Sequence, residues 1–142
     1  MEKEKNKTVQ QKKVEELHWE IQQWKSNFQF MADELIFIVR LLDSYIFEPN
    51  TPNLFERLQE YNTRIKSVQE MNKKVRDDIS QHENTLGGML DCTHSTCDLS
   101  YYHRHDALQT KVANCFEDFQ KLKSEIFIYA GGILKRRKPE NT

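Results

Sequence analysis

The 142-residue chain has few of the residues that interrupt regular secondary structure. Four glycines and three prolines leave few positions at which a helix must end or bend. Three cysteines is an odd number, and Met1 is followed by charged residues rather than by an apolar leader. We therefore expect a protein of the reducing cytoplasm, without a disulfide framework.

Long apolar runs and an excess of one charge are also missing. No stretch of about 18 uncharged apolar residues occurs, so no membrane-spanning helix is predicted. The formal net charge is −1, with 21 basic and 22 acidic residues. Basic residues cluster only at the two ends, as solvated tails commonly do. We expect no nucleic-acid partner, and contact with a membrane surface is only a minor alternative.

The chain does contain three long stretches in which apolar residues recur at alternating three- and four-residue steps. This period is typical of helices that pack against each other along an apolar seam. The seam positions are Val14, Leu17, Ile21, Trp24, Phe28, Met31, Leu35, Ile38, Leu42 and Tyr45 in the first stretch; Leu58, Tyr61, Ile65, Val68, Asn72, Val75, Ile79, His82, Leu86 and Met89 in the second; and Tyr101, His105, Leu108, Val112, Cys115, Phe119, Leu122, Ile126, Tyr129 and Ile133 in the third. The pattern predicts three helices.

Breaks between the stretches place these helices near 10–47, 53–87 and 99–136. The segment EPNTPN ends the first helix, and the Gly87-Gly88 pair loosens the end of the second. Because both connections are short, neighbouring helices are expected to be antiparallel.

The predicted fold class is all-α, an antiparallel up-down-up three-helix bundle with coiled-coil-like heptad packing. The bundle is expected to occupy residues 14–136. A charged N-terminal extension, 1–13, precedes it, and a C-terminal tail, 137–142, follows it.

Histidines are expected to meet at one level of this bundle. If the chain folds back twice, His18 of the first helix faces His82 of the second, and His82 faces the segment from His103 to His105 of the third. His82 and His105 fall on seam positions, whereas His103 points away from the seam. Three imidazoles with an open fourth position are the ligand pattern of a catalytic zinc site.

Carboxylates accompany these histidines along the helices. Glu15 and His18 form a Glu-x-x-His pair, the ligand pattern of di-iron carboxylate bundles, and Asp78 lies one turn before His82. Imidazole and carboxylate ligands suit zinc, iron or copper. The candidate metal ligands are His18, His82, His105, Glu15 and Asp78, with His103, Glu83 and Asp106 as alternates. The other explanation is a layer of histidines paired with carboxylates without a metal.

Two cysteines lie in the connection before the third helix. The spacing Cys92-x-His94-x-x-Cys97 is not a standard zinc spacing, so we interpret this segment as a connection. A disulfide between Cys92 and Cys97, or a contribution to a metal site, remains open.

One end of the bundle carries more apolar residues than its seam requires. The segment LIFIVRLLDSYIF, 35–47, and the segment LKSEIFIYAGGI, 122–133, are expected to lie side by side. Surplus apolar surface of this size usually marks an interface. We therefore expect a homodimer, and a core widened by aromatic side chains is the alternative. The residues expected at the interface are Ile36, Phe37, Val39, Phe47, Phe127 and Ile128.

Three short motifs resemble those of a group of short, uncharacterised helical-bundle proteins of Bacteroidota-type bacteria. They are His18-Trp19, His82-Glu83 and His103-Arg104-His105-Asp106, within a resemblance that spans most of 14–130. The resemblance implies a helical bundle and no particular activity. The chain is also similar to hemerythrin and ferritin-like bundles, but it lacks their fourth helix and their second Glu-x-x-His motif.

No phosphate-binding glycine loop, nucleophile elbow or catalytic triad is visible. The sequence therefore favours a self-associating interaction or structural module over an enzyme. The alternative is a bundle that binds zinc, iron or copper, in which any enzymatic activity would depend on the metal.

Overall fold

The computed structural model describes residues 9–44, 47, 49, 51, 53–89 and 95–136. These residues form three α-helices and no strand, which confirms the all-α prediction. The helices are α1 (Val9–Leu42), α2 (Leu54–Met89) and α3 (Ser95–Arg136). Over their described residues, none of the three combines the length and apolar content that a membrane span requires.

The chain divides into two compact units, and each unit contains one segment of every helix. The first unit comprises Met1–Gln29 and Lys73–Ala113, and the second comprises Phe30–Asn72 and Asn114–Thr142. Two parts of the predicted layout, residues 1–8 of the N-terminal extension and the tail 137–142, lie outside the described residues.

The first helix ends at Leu42, five residues before the predicted end near 47. Ser44 competes with helix continuation, because its side-chain hydroxyl and its backbone N–H both donate to the carbonyl of Leu41, at 2.6 Å and 3.1 Å. Asn53 has a φ of 56°, a left-handed conformation that asparagine tolerates better than most residues. The second helix then begins at Leu54, close to its predicted start.

The third helix begins earlier than predicted. It starts at Ser95 rather than near 99, so the backbone of Cys97 is helical. Cys92 and the side chain of Cys97 lie outside the described residues, and their possible disulfide stays a prediction.

The core of the first unit contains both apolar and polar side chains. Ile21, Trp24 and Phe28 from α1 are buried together with residues such as Ile79 of α2 and Leu108 of α3. His82 and His105 are also buried here. These seam positions were predicted to face inward, and they do.

The core of the second unit is apolar and rich in aromatic rings. Its buried side chains include Met31, Leu35, Ile38, Leu42, Tyr61, Ile65, Cys115, Phe119, Leu122, Ile126, Ala130 and Ile133. Among the described residues of this unit, the buried polar side chain is that of Asn72, whose amide donates to the sulfur of Met31 at 3.2 Å. Burial raises the pKa of the Cys115 thiol to about 11, so this free cysteine is an unreactive core residue.

Phe47 differs from the other residues predicted at the apolar interface, because it is buried within the second unit. Its ring stacks on Tyr129, with centroids 5.7 Å apart, and Tyr129 in turn lies 5.8 Å from the ring of Tyr61. The five other residues of that prediction are exposed. The ring of Phe47 therefore enlarges the core of this unit, which is what the alternative of a core widened by aromatic side chains predicts. The other five residues lie on the surface.

Candidate functional site

A pair of buried imidazoles forms the centre of the first unit. The Nε2 atom of His82, on α2, lies 2.9 Å from the Nδ1 atom of His105, on α3. The two residues are 7% and 3% exposed. Both occupy seam positions, so the helical period that buries the neighbouring leucines and valines also directs these two rings inward.

A carboxylate completes a chain of three hydrogen-bonded groups. The Oε2 atom of Glu20, on α1, lies 2.6 Å from the Nε2 atom of His105. The Glu20 side chain is partly exposed, so it connects the buried imidazoles with the surface of the unit. The chain Glu20–His105–His82 is called the histidine relay below.

Two aromatic residues enclose the histidine relay. The Tyr101 ring stacks on His82, with centroids 4.2 Å apart and planes 11° apart, and its hydroxyl donates to the backbone carbonyl of His82 at 3.0 Å. The Trp24 ring stacks on His105 at 4.6 Å. These flat contacts leave the two imidazoles little freedom to rotate.

The protein environment keeps His82 neutral. Burial, followed by the neighbouring charges of His105 and Arg104, lowers the pKa of His82 from 6.5 to about 4. Burial also raises the pKa of Tyr101, so its hydroxyl remains a donor at neutral pH.

Hydrogen-bond geometry assigns the protons of the relay. A carboxylate only accepts hydrogen bonds, so His105 donates from Nε2 to Glu20. With its Nε2–H donated to Glu20, a neutral His105 has a bare Nδ1 atom, which accepts the Nε2–H of His82.

His82 also lines a cavity of about 310 Å³ between α2 and α3. Asp78 lines the same cavity from one turn earlier on α2, and Arg104 and Lys111 line it from α3. The Lys111 ammonium lies 3.9 Å from the Asp78 carboxylate. The charged groups of this cavity are therefore two cations and one carboxylate.

Of the five residues predicted as metal ligands, the structure brings His82 and His105 into contact. His18 and Glu15 are exposed on α1. His18 is close enough to Glu83 for its charge to help lower the pKa of that carboxyl, after the larger effect of the hydrogen bond from Lys25. Asp78 pairs with Lys111.

The three alternate ligands have other positions. His103 and Asp106 are exposed on α3. Glu83 accepts hydrogen bonds from the side chains of Gln22, at 2.5 Å, and Lys25, at 3.0 Å. In the part of the chain that the structure describes, no three His, Cys, Asp or Glu side chains are arranged to hold a metal ion.

Glu20 was missing from the sequence-based candidates, although a signal for it exists. It lies one turn before the seam residue Trp24, and a pairing of α1 with α3 by level places it opposite the segment that contains His105. The Glu-x-x-His spacing with His18 favoured Glu15 instead.

No family model, curated protein sequence or solved structure matches the chain. The resemblance to bundle proteins of Bacteroidota-type bacteria stays a prediction. Two of the residues that carry it, His82 and His105, belong to the histidine relay, and Trp19 lies exposed on α1.

Proposed function

We propose that the protein is a cytoplasmic helical interaction module that self-associates through an apolar surface of its second unit. The observation that carries the proposal is a group of exposed apolar side chains shared by two helices. Ile36, Phe37 and Val39 come from α1, and Phe127 and Ile128 come from α3. These five residues are called the apolar surface below.

Contacts within the second unit support treating these residues as one surface. The rings of Phe37 and Phe127 meet edge to face, with centroids 6.5 Å apart, although both remain exposed. Ile128 is 73% exposed. The contact between Phe37 and Phe127 joins the exposed apolar residues of α1 to those of α3, and gathered exposed apolar residues are typical of interaction sites.

The charges beside the apolar surface favour a second copy of the chain as the partner. Lys123 lies 5.8 Å from the centroid of the Phe127 ring and forms an ion pair with Glu34 at 2.7 Å. Because this pair is internally neutral, two copies can approach about a twofold axis without repulsion between like charges. A strongly charged partner would gain little electrostatic attraction from this neutral ion pair.

We further propose the antiparallel up-down-up arrangement and heptad packing. Support in the first unit comes from contact pairs whose numbers run in opposite directions: Gln22 with Glu83 and Gln29 with Arg76 for α1 and α2. The second unit supports the same order for α2 and α3, through Tyr61 with Tyr129 and Arg64 with Glu125. The three- and four-residue spacing of the buried positions supports knobs-into-holes packing.

Sedimentation equilibrium of three variants and the wild-type protein tests self-association. We expect the wild type to have a dimer mass at micromolar concentration, and Phe37→Glu and Ile128→Glu to have a monomer mass. The control is Phe55→Glu, because Phe55 is 80% exposed on α2 and lies outside the apolar surface. A monomeric wild type, or equal dissociation of all three variants, would contradict the proposal.

Metal binding is a second proposal, and it is supported by the adjacency of two imidazole nitrogens. The Nε2 atom of His82 and the Nδ1 atom of His105 lie 2.9 Å apart, and Glu20 contacts the other nitrogen of His105. A carboxylate in that position commonly orients a metal-binding histidine. Elemental analysis of protein expressed with zinc, iron and copper should then find stoichiometric metal that His82→Ala removes and His103→Ala retains. If the wild-type protein contains no metal, the metal-binding proposal is wrong and only the proposal of an interaction module stands.

A further inference from the structure

We propose that a cavity between α1 and α2 in the first unit binds a small ligand through a phosphate group. The cavity has a volume of about 410 Å³ and is separate from the one that His82 lines. Its polar lining consists of Gln22, Lys25, Ser26, Gln29, Arg76 and Ser80. This site is independent of the self-association proposed above, which involves the second unit.

Apart from Ile79, the lining residues can all donate hydrogen bonds, and none of them is a carboxylate. Lysine and arginine supply positive charge, serine hydroxyls can donate, and glutamine amides can donate from nitrogen. Helical periodicity explains why the groups converge. Lys25 and Gln29 lie one turn apart on α1, and Arg76 and Ser80 lie one turn apart on α2. Such a set of groups matches a tetrahedral oxyanion.

Arg76 is the group on which recognition depends most. Its Nη2 atom donates to the Oε1 atom of Gln29 at 2.7 Å, which holds the guanidinium in place across the cavity. It forms no ion pair with a carboxylate in the described residues. The guanidinium has five N–H donors, so the contact with Gln29 leaves others available for phosphate oxygens.

Glu83 contacts two residues of the cavity lining, Gln22 and Lys25, and its negative charge offsets that of Lys25. Its carboxylate accepts from Lys25 and Gln22, and the hydrogen bond from Lys25 is the largest cause of its lowered pKa. Lys25 is therefore partly neutralised, and Arg76 supplies the remaining net positive charge. This arrangement predicts weak binding to phosphate alone, strengthened by contacts of the rest of a ligand with the two serines and Gln22.

The cavity between α2 and α3 differs in having a carboxylate in its own lining. Arg104 and Lys111 line it, but Asp78 also does so, and Asp78 already faces Lys111. This difference makes Arg104 a matched control, since it is an arginine of the same unit that faces the other cavity.

Phosphorus NMR line broadening and calorimetric titration test the proposal on the full chain. The probes are inorganic phosphate and glycerol 3-phosphate, each compared with sodium chloride at equal ionic strength. We expect saturable binding to the wild type and a loss of affinity of about ten-fold or more in Arg76→Gln, because a charge-assisted hydrogen bond is removed. Arg104→Gln should bind as the wild type does.

The two probes distinguish the source of the phosphate group. Preference for glycerol 3-phosphate identifies a phosphomonoester as the ligand, and equal binding identifies free phosphate. Ser80→Ala provides a second variant, which removes one hydroxyl without changing the charge and should weaken binding several-fold. Far-ultraviolet circular dichroism confirms that each variant is folded.

Either of two results would overturn the proposal. In the first, phosphate has no effect beyond that of chloride at the same ionic strength. In the second, Arg76→Gln and Arg104→Gln lose affinity equally, which is the sign of diffuse attraction to net charge rather than of a site.

Discussion

His105 and His82 share a hydrogen bond of 2.9 Å inside the first unit, and both side chains are buried. Each imidazole satisfies a nitrogen of the other that would otherwise be buried without a partner. In the described residues, no buried side-chain nitrogen or oxygen lacks a hydrogen-bond partner. The two histidines therefore act on stability as one unit.

Replacing one histidine should lower the free energy of unfolding by more than half of what replacing both lowers it. His82→Leu leaves the Nδ1 atom of His105 buried without its partner, which should lower the free energy of unfolding by about 1–3 kcal/mol. The double variant His82→Leu/His105→Leu should be less destabilised than the sum of the two single variants. Urea denaturation of all three measures this coupling.

His103→Leu is the control for that cycle, because His103 is exposed on the same helix as His105. Its effect should stay within about 0.5 kcal/mol. Strict additivity of the two buried substitutions would show that the histidines do not depend on each other.

Acid should destabilise the protein through His82. The folded-state pKa is about 4 against an ordinary value of 6.5, so between these pH values the unfolded state binds more protons at this position. The free energy of unfolding should therefore fall as the pH decreases from 6.5 to 4, by as much as about 3 kcal/mol from this group.

Denaturation at a series of pH values measures this slope. The slope should be reduced in His82→Gln and unchanged in His103→Gln. If the wild type and His82→Gln lose stability in parallel over this range, another group is responsible for the acid sensitivity.

Glu20 should stabilise the relay modestly. Glu20→Gln keeps an oxygen that can accept from His105 but removes the charge beside it, and partial exposure screens that charge. We expect a loss of about 1 kcal/mol in the free energy of unfolding at neutral pH. The control is Glu16→Gln, at an exposed position one turn earlier on α1, which should not change the free energy of unfolding measurably. If the two variants lose equal stability, Glu20 does not stabilise the relay.

Phe47 should contribute to stability and not to self-association. Because its ring is buried against Tyr129, Phe47→Ala should lower the free energy of unfolding by about 3 kcal/mol. The variant should nevertheless sediment with the same mass as the wild type at temperatures where it is folded. If the folded Phe47→Ala protein dissociates, this prediction is wrong and Phe47 contributes to the interface, as expected from the sequence alone.

The positions of buried residues could be predicted well from the sequence, because helix geometry repeats every few residues. A spacing of three and four residues predicted that Ile21, His82 and His105 face inward, and all three are buried. The exposure of Phe37 and Ile128 was also predictable, since both lie off the seam of their helices.

Other features do not follow from the apolar period, either because they depend on a local polar contact or because they depend on a segment distant in sequence. The end of α1 at Leu42 depends on how Ser44 bonds to the backbone, which the apolar period does not reveal. The burial of Phe47 depends on the position of Tyr129, 82 residues away by residue number.

The sequence by itself determined that this chain forms three helices and which of their faces are apolar, because both properties follow from local periodicity and composition. Only the tertiary structure decided that Glu20, rather than Glu15 or Asp78, contacts His105, and that Arg76 and Lys25 line one cavity. The physical reason is that a hydrogen bond depends on a few tenths of an ångström and on side-chain direction. Those quantities are set when whole helices pack, and no residue spacing specifies them.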